Sequence, residues 1–303
     1  MITLASGLSY VDLFFVNVPR VIATAVLYGA NGVALIDPGP SSTLATLQTA
    51  LGQSGIAMTD VRALLLTHIH LDHAGATGTL VRQNPQMRVY VHERGAPHLV
   101  DPARLIASAT RLWGRDMDRL WGEMLPVPSS AITALAGGEQ IAEGGRAFDV
   151  IYTPGHASHH VSYFNEAAGI AFVGDTAGIT LREHGFVLPP TPPPDIDLDA
   201  WRRSLSLIGH WRADTLFVTH FGPHRPSAAH LAETADHLHL VSELARRSLA
   251  MHGTDEEREA WFTKELRAIL RRRLPESDAR DYEAAGRFDL NWLGLARYWR
   301  KRA

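Results

Sequence analysis

The feature of this sequence that most constrains its fold is a short apolar run that ends in a dense group of histidines. Residues 64–75 read LLLTHIHLDHAG, so His68, His70, Asp72 and His73 follow closely on three leucines. A short, continuous apolar run is typical of a strand that is buried on both faces of a sheet. His68 and His70 alternate along an extended loop and could face one cation, whereas Asp72 and His73 could face a second. The sequence therefore predicts coordinating side chains in the loop after a buried strand.

Three later segments repeat this arrangement at the ends of predicted strands. His156 follows the run AFDVIYTPG, Asp175 ends the run GIAFVGD, and His220 ends the run TLFVTH. Loops at the ends of strands gather along one edge of an α/β fold, where sites are commonly built. Four distant segments could therefore meet at one point and supply seven ligands for two cations.

Composition narrows both the metal ligands and the partners that this chain can offer. None of its 303 residues is cysteine, so a metal could be held only by nitrogen and oxygen atoms. The net charge of −3 provides no general attraction for nucleic acid or for an anionic membrane. The apolar runs are shorter than the roughly 18 residues of a membrane-spanning helix. We therefore expect a soluble cytoplasmic protein that acts on a small-molecule substrate, without a nucleic-acid or membrane partner.

The remaining patterns of the N-terminal half predict alternating strands and helices. The runs TAVLY and VALID around the turn GANG predict a β-hairpin over 24–37, and apolar spacing predicts a helix over 41–55. The runs at 61–67 and 87–92 predict strands that are buried on both faces. Amphipathic spacing over 95–124 predicts a helical insert between strands.

The second half of the chain changes from strands to helices. Strands are predicted at 147–153, 161–164, 169–175 and 215–220, with a helix at about 198–211. Beyond Pro226 the strand pattern stops, and Thr254 and Glu257 have the spacing of a helix capping box. We therefore divide the chain into a catalytic domain over 1–225, which includes the insert, and a C-terminal helical region over 226–303.

The order and spacing of the candidate ligands resemble a known family. The motif HxHxDH at 68–73, the histidine after TPG, the aspartate of VGD and the histidine of VTH are similar to the metallo-β-lactamase-fold superfamily of hydrolases, and particularly to its glyoxalase II-like members. The resemblance covers about residues 10–225. It implies an α/β (α+β) fold, a four-layer αβ/βα sandwich of two mixed sheets with helices outside, followed here by a C-terminal helical appendage.

The resemblance also implies a role for each candidate residue. Asp72 and Asp175 would orient the attacking water, and Asp37 and His160 match positions beside the ligands or facing the substrate. Asp37 could instead cap the turn at Pro38-Gly39. The implied ligand sets are one metal held by His68, His70 and His156, a second held by Asp72, His73 and His220, and Asp175 bridging the two.

Imidazole and carboxylate ligands suit two divalent metal ions. Zn²⁺ is the expected metal, although iron and manganese accept the same donors. Two such ions about 3.5–4 Å apart can share a water molecule and lower its pKa toward about 7, which supplies hydroxide at neutral pH. One ion can polarise the attacked carbonyl while the other stabilises the leaving group. The sequence therefore predicts hydrolysis of an activated acyl bond in a thioester, an ester or a lactone.

The resemblance leaves several alternative activities open. Asp175 argues against a β-lactam as the natural substrate, because enzymes that cleave these antibiotics generally lack the bridging aspartate. A mononuclear iron sulfur dioxygenase would use positions equivalent to His68, His156 and Asp175. A phosphodiesterase or nuclease is less favoured because the chain offers only a modestly basic end. A non-catalytic binding protein is less favoured because the ligand set is complete.

Several residues outside this set have a structural interpretation. Trp113 and Trp121 lie in the insert at helical spacings and are interpreted as core residues rather than as a platform for substrate. The apolar insert and the appended helices could form the contact of a homodimer. Eight further histidines are interpreted as ordinary structural residues: His92, His98, His184, His210, His230, His237, His239 and His252.

Overall fold

Two mixed β-sheets pack against each other in the computed structural model, which describes residues 1–182 and 185–302. The strands of the first sheet, in spatial order, are β1 (Ile2–Ala5), β2 (Leu8–Asp12), β3 (Ala23–Gly29), β4 (Gly32–Ile36), β5 (Val61–Leu65), β6 (Arg88–His92) and β7 (Ile132–Leu135). The second sheet is built from β8 (Gln140–Glu143), β9 (Arg146–Tyr152), β10 (Val161–Asn165), β11 (Ile170–Phe172), β12 (Thr215–Val218) and β13 (Gly222–His224).

Side-chain alternation along the central strands builds a separate core on each face of the first sheet. In β4, Ala34 and Ile36 belong to the core between the sheets, whereas Val33 and Leu35 belong to the core on the outer side. Consecutive side chains of a strand point to opposite faces, so a strand with apolar residues throughout is buried on both. In β5 (Val61–Leu65), Leu64 belongs to the outer core and Ala63 and Leu65 to the core between the sheets, so a buried strand lies within the segment predicted at 61–67.

The helices form the outer layers and the tail of the chain. The outer side of the first sheet packs against Leu47, Leu51 and Leu80 of two helices, and the outer side of the second sheet packs against Leu205 and other helical residues. These four layers confirm the predicted sandwich. The helices are α1 (Leu44–Gln53), α2 (Leu71–Ala74), α3 (Thr77–Gln83), α4 (Ala96–Val100), α5 (Ala103–Trp113), α6 (Met117–Leu120), α7 (Leu198–His210), α8 (Ser227–Leu249), α9 (Asp255–Arg271), α10 (Glu276–Gly286) and α11 (Phe288–Arg300).

The C-terminal helices α8–α11 share a core with the second sheet. Leu266 of α9 and Leu295 of α11 are fully buried in the same cluster as Leu216 of β12. The capping box predicted from the sequence opens α9, where the Thr254 and Glu257 side chains each accept a hydrogen bond from the other residue's backbone N–H. The tail is therefore packed onto the sandwich, and the boundary between 225 and 226 stays a prediction from sequence.

The segment predicted as an insert carries α4, α5 and α6 between β6 and β7. The sequence patterns do not predict β1, β2, β7, β8 and β13, and four of these lie at the edges of the two sheets.

Among the described residues, no helix combines the length and the apolar character needed to cross a membrane. The neighbouring strands β4, β5 and β6 are parallel, so their C-terminal ends lie on the same side of the sheet, and the candidate site is on this side.

Candidate metal centre

The loop after β5 carries the first group of candidate ligands. The strand ends at Leu65, and the chain remains extended at His70 before α2 begins at Leu71. The side chains of His68 and His70 therefore reach the same point, with 3.0 Å between Nε2 of His68 and Nδ1 of His70. The turn of α2 then presents Asp72 beside them. The local backbone thus separates the motif into two pairs of side chains, as its spacing predicts.

The first group is completed by His156, which follows β9. Its Nε2 atom lies 2.9 Å from Nδ1 of His70, so three ring nitrogens face one another. Nitrogen ligands about 2.0–2.1 Å from a tetrahedral zinc ion lie about 3.3 Å apart. The three histidines therefore have the spacing of ligands around one ion.

The second group combines Asp72 and His73 of α2 with His220, which follows β12. Nε2 of His220 lies 3.3 Å from Oδ2 of Asp72, and Nε2 of His73 lies 3.7 Å from the same oxygen. Asp175 lies between the two groups, with Oδ1 3.2 Å from Nε2 of His73 and Oδ2 3.4 Å from Nε2 of His156. The structure thus brings all seven predicted side chains together, with one carboxylate touching both groups.

Two buried atoms at this point form no well-aligned hydrogen bond with the described residues. Nε2 of His73 and Oδ1 of Asp175 lie 3.2 Å apart, but their contact is not aligned as a hydrogen bond and neither atom has another partner there. Leaving a buried polar atom unsatisfied costs about 1–3 kcal/mol, so native proteins rarely do so without a function. A divalent cation would satisfy both atoms, and the nitrogen and oxygen donor set fits zinc, iron or manganese. The residues present therefore fit a metal centre.

Hydrogen bonds from outside the centre fix the orientation of the histidine rings. Nδ1 of His156 donates to the backbone oxygen of Pro190 at 2.8 Å, and Nδ1 of His220 donates to the backbone oxygen of Val21 at 2.7 Å. Each bond places the proton of the neutral ring on Nδ1 and directs Nε2 toward the centre, which is the usual arrangement of a metal-binding histidine. The backbone N–H of Thr191 in turn donates to Oδ1 of Asn291 at 2.8 Å, so α11 holds the loop that orients His156.

Asp37 orients a histidine of the second group. This decides between the two interpretations of Asp37, as a residue beside the ligands or as a cap of the turn at Pro38-Gly39. Its buried Oδ2 atom accepts hydrogen bonds from Nδ1 of His73 and from the hydroxyls of Thr67 and Thr219, at 2.7–2.8 Å. Asp37 therefore positions a candidate ligand instead of only capping a turn. The sequence reasoning missed Thr67 and Thr219, although each directly precedes a candidate histidine at the end of a strand.

Electrostatics divides the histidines of the centre into two types. Burial and the neighbouring His156 lower the pKa of His70 to about 4, and burial with nearby His73 holds the pKa of His68 well below its ordinary value. Both rings are therefore neutral at pH 7 and can offer a lone pair to a metal. Their neutrality does not depend on a bound cation.

The second group is an acidic site that attracts positive charge. Burial opposes ionisation of Asp72, but His73 and His220 lower its pKa to about 2. Burial likewise opposes a charge on His73, yet the carboxylates of Asp175, Asp72 and Asp37 raise its pKa well above the ordinary value. Without a cation, protons on these histidines compensate the carboxylates. A metal ion would replace those protons, which couples metal binding to proton release.

His160, which the resemblance places beside the ligands or facing the substrate, lies behind the centre. It is fully buried, its ring stacks on that of His68 with centroids 5.0 Å apart, and its Nδ1 lies 2.8 Å from the hydroxyl of Thr153. This geometry suits a residue that supports His68 and does not suit contact with substrate. The neighbouring His159 lines the cavity above the centre, with its ring 5.5 Å from that of His70.

Several of the other histidines have structural partners far from the centre. His230 and His237 of α8 bond to the backbone oxygens of Ala177 and Val187, at 2.8 and 2.7 Å. These bonds agree with the structural interpretation of both residues. His184 lies outside the described residues.

A cavity of about 460 Å³ lies directly above the centre. Its walls come from the insert and from the loop between α10 and α11, and they include Trp113 and Trp121. The interpretation of these two residues as core alone is therefore incomplete. The floor of the cavity is formed by five of the candidate ligands, His70, Asp72, His156, Asp175 and His220.

Comparison with known proteins gives the family. The family model of the metallo-beta-lactamase superfamily matches residues 18–220, a stretch that contains all seven candidate ligands. The chain belongs to the metallo-beta-lactamase superfamily. This match confirms the resemblance to the superfamily that the sequence motifs indicate.

Two curated relatives illustrate the range of the superfamily around this protein. Metallo-beta-lactamase fold-containing protein ST1585 of Sulfurisphaera tokodaii is 29% identical over 203 residues, 66% of this chain and 72% of that protein. Hydroxyacylglutathione hydrolase of Legionella pneumophila is 27% identical over 141 residues, 46% of this chain and 41% of that enzyme. The match therefore spans less than half of the length of the Legionella enzyme.

Solved structures of superfamily members extend the similarity to the fold. A crystal structure of ST1585 has a TM-score of 0.67 at 22% identity and covers 95% of this chain and 98% of that chain. A structure of TTHA1623 in a di-iron-bound form has a TM-score of 0.52 at 26% identity and covers 67% of this chain and 89% of that chain. The similarity to ST1585 includes most of the C-terminal helices, since only a small part of this chain lies outside it.

Proposed function

We propose that this superfamily protein is a dinuclear metal-dependent hydrolase that cleaves an activated acyl bond in a thioester, an ester or a lactone. The observation that carries the proposal is the carboxylate of Asp175, which lies within 3.5 Å of nitrogens from both ligand groups. One carboxylate between two complete groups of donors is an arrangement for a pair of cations. When bound, the two ions would lower the pKa of a shared water molecule and polarise the carbonyl that it attacks.

The protein's own residues would divide the remaining work. His68, His70 and His156 would hold one ion, and Asp72, His73 and His220 would hold the other. Asp72 and Asp175 are ionised at neutral pH and would accept hydrogen bonds from the attacking water, which fixes its direction. Zn²⁺ is the proposed metal, because nitrogen-rich sets of this size suit it and it needs no redox partner.

Two observations support acyl hydrolysis over the other activities. The relative from Legionella pneumophila is by name a hydrolase of a hydroxyacylglutathione. A mononuclear iron sulfur dioxygenase would use the positions of His68, His156 and Asp175, whereas Asp37 in this chain also orients His73 of the second group. Iron as the metal stays an alternative, since TTHA1623 is described in a di-iron-bound form.

The test combines metal content with a panel of substrates. Purified protein is analysed for zinc, iron and manganese and assayed on thioesters, lactones, aryl esters and phosphodiesters, with oxygen uptake on a persulfide as a separate assay. We expect two metal ions per chain and hydrolysis of at least one acyl compound. One iron per chain with oxygen uptake would contradict the proposal and support the dioxygenase.

Matched variants connect the activity to the centre. Asp175→Asn keeps the shape of the side chain but removes its charge, so we expect at least a 100-fold loss of turnover with little change in the folded structure. His70→Ala should behave in the same way. His252→Ala changes an exposed histidine after α8 and should leave turnover unchanged. Full activity in Asp175→Asn would show that the reaction takes place elsewhere.

A further inference from the structure

One wall of the cavity above the metal centre is aromatic. Trp113 and Trp121 line it, and the two rings meet edge-on with centroids 5.0 Å apart. Phe15, which is outside the lining, stacks on Trp121 with ring centroids 5.3 Å apart and an interplanar angle of 20°. Beneath them, Leu71 and Leu120 belong with Trp121 to a small buried cluster. The two indole rings are therefore held in place by packing, which makes this wall a rigid apolar surface.

The facing wall is also largely apolar. It includes Ile179 and Pro192 from the segment that follows Asp175, together with Ala285 and Leu290 from the tail helices. Ile179 is 3% exposed and Leu290 is 7% exposed, so both are fixed by neighbours behind them. A ligand lying between these walls would lose contact with water on both sides.

Arg287 connects the two walls. It is the residue between α10 and α11, and its guanidinium carbon lies 4.7 Å from the ring centroid of Trp113. The carboxylate of Asp289 accepts a hydrogen bond from Nε of Arg287 at 2.9 Å and compensates its charge. Arg287 therefore holds the insert against the tail, and the width of the cavity is set before any ligand enters.

Charged lining residues are found mainly at the rim. Arg94, Arg104 and Arg111 are exposed, so they remain in water whether or not the cavity is filled. Within the wall, the indole N–H of Trp121 is buried and has no hydrogen-bond partner in the described part of the chain. Ser108, Ser158 and Asn291 also line the cavity, so an occupant would meet mainly apolar surface with a few polar groups between the rim and the candidate ligands.

We propose that the acyl substrate of this protein carries a bulky apolar group, an aryl ring or a medium-length alkyl chain, which packs in the cavity against Trp113 and Leu290 while the scissile carbonyl lies at the metal centre. This inference rests on the proposed function and adds the substrate class to it. The cavity of about 460 Å³ lies in the range of about 300–1,000 Å³ that small-molecule sites occupy, and it is much larger than an acetyl group requires. Trp113 is the residue that would determine specificity for chain length.

The test is a series of p-nitrophenyl esters with acyl chains of increasing length, from acetate through butyrate and hexanoate to octanoate. Burial of each added methylene should raise kcat/KM up to about fourfold, and we expect a total rise of at least about 30-fold from acetate to octanoate. Trp113→Ala should lower kcat/KM for octanoate about 10-fold more than for acetate, and Trp113→Phe should restore most of the preference. A flat or falling profile in the unmodified protein would overturn the proposal.

A matched control and a second readout separate this proposal from the function itself. Trp261→Ala changes an indole on α9 that packs with Arg247 and does not line the cavity, so its chain-length profile should match that of the unmodified protein. Binding of the fluorescent probe 8-anilinonaphthalene-1-sulfonate should weaken at least fivefold in Trp113→Ala and not in Trp261→Ala. Probe binding at Trp113 without hydrolysis of any acyl compound would reject the proposed function, whereas hydrolysis with a flat profile would reject only the apolar substrate.

Discussion

Oδ2 of Asp37 lies 2.8 Å from Nδ1 of His73, although Asp37 follows β4 and His73 lies in α2, after β5. The same oxygen accepts hydrogen bonds from Thr67 and Thr219, so it joins three of the strand ends that meet at the centre. The orientation of His73 therefore depends on a carboxylate that binds its Nδ1 atom, whereas its Nε2 atom faces Asp72 and Asp175.

Replacement of Asp37 by asparagine should weaken the second metal position. The amide lacks the negative charge that raises the pKa of His73 and cannot accept all three hydrogen bonds at one oxygen. Loss of such an outer partner typically lowers metal affinity or activity 10–100-fold. Competition with a chelator, followed by metal analysis, measures this loss. Asp60→Asn, an exposed aspartate before β5, is the control and should keep both ions bound.

Removal of the metal should lower the thermal stability of the folded protein. Ligands that bind only the folded state contribute about 4 kcal/mol when present at a thousandfold excess over Kd, which corresponds to a shift in Tm of about 5–10 °C. We expect EDTA to lower Tm by this amount and added Zn²⁺ to restore it, as followed by circular dichroism. A variant that lacks His73 should respond less to EDTA, and an equal response in both proteins would count against the centre.

Gly155, in the loop that carries His156, should not tolerate a side chain. Its φ is +143°, and an added Cβ would lie 2.4 Å from Cα of Trp201. We expect Gly155→Ala to lower the free energy of unfolding by about 2 kcal/mol or more and to reduce metal content, because α7 and the loop must separate. Gly138→Ala is the matched control, since its φ is +106° but nothing lies within 4 Å of the added Cβ. Denaturant unfolding of both variants separates steric overlap from backbone strain.

His224 should make the protein less stable in mild acid. Burial, with His230 and Arg20 nearby, lowers its pKa to about 3 from the ordinary 6.5. Between these values the unfolded chain binds a proton that the folded chain excludes, so the free energy of unfolding falls as the pH drops below 6.5. His224→Gln removes this proton. Its loss of stability between pH 7.5 and pH 5.5, measured in urea, should be smaller than that of the unmodified protein by up to about 1.4 kcal/mol.

The sequence predicts the centre well because the same residues carry two independent signals. His68 and His220 are candidate ligands by chemical type, and each also ends an apolar run that is recognisable as a buried strand. Burial on both faces makes β5 and β12 continuous in hydrophobicity, so their ends are easy to locate. The sequence leaves the role of Asp37 open, because its partners Thr67 and Thr219 become neighbours only when the strands align.

The edge strands and the cavity walls are not predicted for a related reason. β7 and β8 each pair with a neighbour on only one side, and most of their residues are partly or fully exposed. Their stability comes from backbone pairing, which leaves little hydrophobic pattern. Helical spacing likewise identifies Trp113 and Trp121 as the apolar side of a helix. Helical spacing does not reveal that these two side chains line a cavity.

The hydrogen bond from Thr191 to Asn291 has a consequence for how this protein could change during evolution or engineering. Pro190, next to Thr191, supplies the carbonyl that orients His156, so a substitution in α11 can alter metal loading without touching a ligand. The same tail lines the cavity through Leu290. A chimera that exchanged the tail for that of a relative would therefore alter substrate range and metal retention together, and the two properties could not be inherited as separate modules.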